Sequence, residues 1–172
     1  MLAIWFIAGA RWMAALLAPA LFLVFMLPLW SGAIDVYTNP LQLASTKVAY
    51  HVLNLSGFSP IMSSPTEIYL DRFTLNVEVP CSGLKLMLAL TAFTLFFLMI
   101  ADLRWWGRLA MIAFIVPLCL FINGLRIALI GMVGNAYGQD AGLSFHDYSG
   151  YITLLVCFFI LFWVARRLGW KG

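Results

Sequence analysis

The chain reads as an all-α integral membrane protein of about four transmembrane helices, carrying an extracytoplasmic amphipathic helix and a short β-hairpin. Three observations predict this. First, 64% of the 172 residues are hydrophobic and only 10% are charged, where a soluble domain carries roughly 25% charged residues. Second, the apolar residues gather into runs close to the ~20 residues a helix needs to cross a bilayer. Third, the polar residues gather into one long stretch and two short ones between those runs. The length suits a single membrane domain over residues 1–172.

The first span is expected at about 12–30, entered through Arg11. Pro19 and Pro28 fall inside it, and membrane helices tolerate proline better than soluble ones. The run is longer than the core of a cleaved signal peptide, so a retained span is expected. Leu2 to Ala8 is also apolar and suits the inner interface. The extracytoplasmic region then covers 31–83. Within it Leu41, Ala44, Val48, Val52 and Leu55 recur at helical spacing. Pro40 marks the expected start and Gly57 the end. Gln42, Ser45, Thr46 and Asn54 make the other face, so the helix is expected to lie on the membrane surface. Glu67 to Val79 is rich in β-branched and aromatic residues, and Asp71 and Arg72 suit a hairpin turn. The later spans are expected at about 84–101, 109–133 and 150–165, with polar loops at Asp102 to Arg108 and Asn135 to Ser149.

Basic residues set the orientation. Four spans put both termini on the side of the Asp102 loop. That side holds Arg11, Arg104, Arg108, Arg166, Arg167 and Lys171 against Asp102 alone. The other side holds Asp35, Glu67, Asp71, Glu78, Asp140 and Asp147. Short cytoplasmic segments are enriched in Lys and Arg. A multi-pass plasma (inner) membrane protein with both termini cytoplasmic follows. The net charge of +3 is too small to argue for nucleic acid.

Three residues stand out chemically. Arg126 is costly inside an apolar run. It lies roughly 26 Å along the third span at about 1.5 Å per residue, near the outer boundary, with Asn123 on nearly the same face. Cys81 directly precedes the second span. A helix N-terminus there is expected to lower its thiol pKa, within reach of water. His146 precedes the fourth span on the same outer face and can carry protons near neutral pH. Asp147 follows it as a supporting residue. Cys119 and Cys157 fall mid-membrane and suit packing, and His51 suits a structural place on the surface helix. A thiol, an imidazole and a guanidinium on one face suit acyl transfer, with thiolate attack, protonation of the leaving amine and stabilisation of an oxyanion.

The residues Pro80 to Leu84, then Asn123 to Ile127, then Phe145, His146, Asp147 and Gly150 resemble, in order, three blocks of the exosortase/archaeosortase family. The likeness covers about Val77 to the C-terminus, and the surface helix more loosely. It implies a membrane-embedded cysteine transpeptidase with Cys81 as nucleophile, Arg126 as electrostatic stabiliser and His146 as acid/base. Asn123, with Ser82 and Asp147, would line the substrate pocket. The implied substrate is a secreted protein ending in a recognition motif, a transmembrane helix and a basic tail. Its product would pass through a thioester to an acceptor: a lipid, a glycan or, for a protease, water. Many members are longer, and this chain resembles a short form similar to the exosortase H type. No metal-ligand cluster or nucleotide motif is present, so no cofactor is expected. A non-catalytic membrane scaffold is the alternative of a different class. A transporter subunit fits less well, because the polar groups cluster at one face.

Overall fold

A computed structural model of the chain describes residues 31–78 and 81–170, with 31–37 described as backbone. The span expected at about 12–30 and the segment Leu2 to Ala8 lie outside the described residues. Apart from Ser31 and Gly32 at the start of the first helix, everything below lies within the unit Ala33–Gly172.

Four helices and three strands make up this part. Helix α1 runs Ser31–Leu55, and strands β1 (Ile61–Ser64), β2 (Glu67–Tyr69) and β3 (Thr74–Asn76) follow. Helices α2 (Leu84–Ile100), α3 (Trp105–Tyr137) and α4 (Gln139–Arg167) complete it. The all-α expectation with one hairpin needs correction on one point. The β2–β3 hairpin forms with its turn over Asp71 and Arg72, but β1 adds a third strand, in the order β1-β2-β3 and antiparallel throughout. That strand was hidden because Ile61 to Ser64 is too short to show alternation.

Helices α3 and α4 are long and apolar enough to cross a membrane; α2, with 17 residues, is shorter. The outer surface of the three is apolar. Phe96, Met99, Phe121, Ile152, Leu155 and Phe159 are all well exposed, a pattern suited to lipid and not to water. Exposed Trp105, Trp106 and Trp163 sit toward one end, and exposed Tyr137, Tyr148 and Tyr151 toward the other. Amphipathic rings of this kind favour the two membrane interfaces.

The polar loop expected at Asn135 to Ser149 is instead mostly helix. Only Gly138 interrupts α3 and α4. Its φ of 94° is open to glycine and rare for other residues. Each helix is therefore longer than a bilayer crossing requires. A span takes about 20 residues, which from Trp105 reaches about 125 and back from Arg167 reaches about 147. Arg126 and His146 thus stand at one level, and the tip from about 127 to 145 projects beyond it.

Two hydrophobic cores lie above and below that level. One is the three-helix core of Leu90, Phe97, Met111, Leu118, Cys157 and Leu161. The other joins Ala49 and Leu53 of α1 with Ile68, Leu75 and Val77 of the sheet and Ile127 and Ile130 of α3. Between the two lies a thin polar layer.

Candidate active site

The polar layer is built from α1, the turn before α2, α3 and α4. Helix α1 supplies its first wall. The surface-helix expectation is corrected here: Ser45 and Thr46, expected on the polar outer face, are fully buried, while Leu55 is exposed. Pro40 lies inside the helix instead of at its start. The helix packs so closely on α3 that a Cβ at Gly124 would stand 2.4 Å from the Val48 side chain. This contact turns Ser45 toward the layer.

The turn Cys81, Ser82 and Gly83 comes next. Gly83 has φ 88°, and a Cβ on it would lie 2.9 Å from Asn123 Nδ2. Only glycine satisfies both the backbone and the space. With Gly83 so placed, Asn123 donates from Nδ2 to the Cys81 carbonyl at 2.9 Å and to Ser45 Oγ at 3.1 Å. Asn123 is fully buried, and its Oδ1 has no partner among the described residues. Ser82 is buried too. Its Oγ accepts from the Leu84 N–H at 3.3 Å, and its carbonyl accepts from Ser45 Oγ at 3.4 Å. It therefore serves the start of α2.

Cys81 Sγ lies 2.6 Å from His146 Nε2, across 65 positions of sequence. The histidine sits two turns inside α4, not ahead of a helix as expected. Its Nδ1 is 3.3 Å from Asp147 Oδ1, so the sequence neighbour does reach the ring. Arg126 locks this helix in place. Its Nε donates to Ser149 Oγ at 2.9 Å, and its Nη2 donates to the His146 carbonyl at 3.1 Å. Ser149 Oγ also donates to that carbonyl at 3.0 Å. Sequence reasoning missed Ser149 and Ser45 as partners, although Ser149 stands at i+3 from His146 and could have been found by helical spacing.

The electrostatics differ from expectation. Cys81 is only 8% exposed, and burial pushes its thiol above the ordinary 9.0. The Arg126 guanidinium opposes this and Glu78 reinforces it. The helix terminus does not lower the thiol as expected, because desolvation penalises the thiolate and α2 begins three residues later. His146 stands between two clefts, and Cys81 borders the first. One, of about 200 Å³, runs along Thr74 to Glu78 and is closed by Ile127, Ile130, Gly142 and Leu143. The other, of about 380 Å³, is lined by Lys85, Asn123, Arg126, Asp147 and Tyr151. His146 lines both. Cys157 is buried in the three-helix core, Cys119 is buried with its Sγ donating to the Gly83 carbonyl at 3.3 Å, and His51 is exposed against Tyr50 on α1. Among the described residues no His, Cys, Asp and Glu group could hold a metal.

A thiol, an imidazole and a guanidinium thus meet in a polar layer beneath two clefts. The family model for transmembrane exosortases matches residues 1–163. The chain belongs to the transmembrane exosortase family. Family membership suggests a membrane transpeptidase in general terms. No curated protein and no solved structure matches this exosortase-family chain.

Proposed function

We propose that the protein is a cysteine transpeptidase that cuts the C-terminal sorting signal of secreted proteins at the outer membrane surface. The observation that carries the reading is the 2.6 Å approach of Cys81 Sγ to His146 Nε2. A nucleophile and a base within hydrogen-bond reach, with the base oriented by a third group, are what covalent catalysis needs. Here that third group is Asp147 at the ring and Arg126 at the backbone.

His146 Nε2 takes the thiol proton as sulfur attacks the substrate carbonyl carbon. The C=O electron pair moves onto oxygen, and Arg126 stabilises that charge; its Nη1 makes no hydrogen bond among the described residues. On collapse the C–N bond breaks, and the imidazolium gives its proton to the departing nitrogen. The thioester is then attacked by an acceptor amine, which loses a proton to His146 as the C–S bond breaks. The thiol recovers that proton. Asn123 fixes the Cys81 carbonyl and borders the second cleft, where Asp147 also lies; Ser82 supports the turn. The amine is carried by a lipid or a glycan; water in its place makes the same chemistry hydrolysis.

The test co-expresses the full chain with a secreted protein ending in a motif, an apolar helix and a basic tail, and compares it with Cys81→Ala at equal membrane abundance. The wild type is expected to shorten the substrate and Cys81→Ala to leave it intact. Equal processing by both would overturn the nucleophile. The mass of the new C-terminus separates transfer from hydrolysis.

A further inference from the structure

The geometry points to β3 as the docking edge for the substrate, which adds as a fourth strand. The inference rests on the reading above and extends it to how the polypeptide is held. Strand β3 is an edge: it pairs with β2 on one side only. The Leu70 N–H donates to the Phe73 carbonyl, and the Val77 N–H to the Thr66 carbonyl, both at 2.9 Å. With the register Ile68 to Leu75, odd-numbered residues turn their backbone groups toward β2. Antiparallel ladders alternate, so the N–H and C=O groups of Thr74 and Asn76 point the other way. No hydrogen bond from these groups is found among the described residues.

That open edge forms one wall of a cleft. Ile127, Ile130 and Leu143 line the same cleft, as do Cys81 and His146. A strand edge recognises an extended backbone through main-chain hydrogen bonds, and alternate side chains enter the neighbouring pocket. Past Asn76 the chain turns toward the thiol: the Cys81 N–H donates to the Glu78 carbonyl at 2.9 Å. A paired segment therefore leads to the thiol. The occupant is the extended segment that precedes the substrate's own membrane helix. It runs parallel to β3, because both chains go from the outer surface into the membrane past Cys81.

Cysteine cross-linking tests this without needing turnover. In a Cys81→Ala background, which keeps substrate uncleaved, Asn76→Cys is paired with a cysteine scanned through the segment before the helix of the co-expressed substrate. Cross-links are expected at every second position. With Thr74→Cys the pattern is expected to shift away from the helix, and with Glu78→Cys toward it. A flat pattern, or none, overturns the edge; the reverse shift overturns the parallel direction. Because binding alone is read, this result is independent of whether Cys81 is the nucleophile. In the catalytic chain, Asn76→Pro removes an outward N–H while sparing the β2 ladder. It is expected to lower processing at least tenfold, with Cys81 alkylation by iodoacetamide unchanged. Wild-type processing by Asn76→Pro overturns the proposal.

Discussion

The acidity of Cys81 is set by a contest between burial, which favours the thiol, and Arg126, which favours the thiolate. Alkylation of Cys81 in membranes should therefore reach its plateau above pH 9.0, the ordinary thiol value. Arg126→Gln removes the opposing charge and should move that profile further to the alkaline side; a profile unchanged by Arg126→Gln would show that the two groups do not interact. Linkage gives a stability consequence. The folded pKa is raised, so the unfolded chain loses its proton first as pH rises. The contribution of Cys81 is thus fully present below pH 9.0 and is lost as pH rises through the folded value. His146→Ala should lower processing about 10²- to 10⁴-fold, the usual contribution of general acid–base catalysis. Cys81, Arg126 and His146 were legible in sequence because each is the wrong residue for an apolar neighbourhood. The direction of the thiol shift was not, because burial depends on packing by residues as distant as Ser45 and Ile127.

At the scale of elements, the turn at Gly83 joins the nucleophile's segment to α3. Gly83→Ala places a Cβ against Asn123 Nδ2 and forces a non-glycine residue to positive φ, costing about 1–2 kcal/mol for the backbone alone. Asn123→Ala keeps the backbone but leaves the buried Cys81 carbonyl without its side-chain donor, a loss of about 1–3 kcal/mol. Both should lower the thermal midpoint of the detergent-solubilised protein. Only Gly83→Ala should also perturb α2 near Leu84, read as faster amide exchange there. Helix type and rough position were legible from apolar runs. Two boundaries were not. Asn135 to Ser149 looked like a loop because its polar residues match solvent, yet a helix that overshoots the bilayer is also solvated. Helix α1 was phased by its apolar residues, but the face that packs also takes in Ser45, which lies with Val48 against Gly124. Close approach, not hydrophobicity, fixed that rotation.

For the whole molecule, the two cores flank a polar layer at one depth, and the basic residues of the α2–α3 connection and of the end of α4 lie at the far end. On the positive-inside pattern those residues are expected in the cytoplasm. A membrane-impermeant thiol reagent on intact cells should label Ser63→Cys on β1, whereas Arg104→Cys should be labelled only after permeabilisation. The opposite result would invert the orientation. The membrane character and the helical class were plain from composition. Of the sheet, the β2–β3 hairpin was legible and β1 was not, because its register is one that only tertiary pairing selects.

The shielding of Cys81 bears on durability. On the proposed orientation the thiol works in a compartment where disulfides form readily. Oxidants and stray disulfides react with thiolates that they can reach. A thiol 8% exposed and held protonated by burial offers them little. It borders the smaller of the two clefts, and a reagent must pass that way to reach it. The burial that raises the thiol's pKa thereby also spares it from oxidative wear.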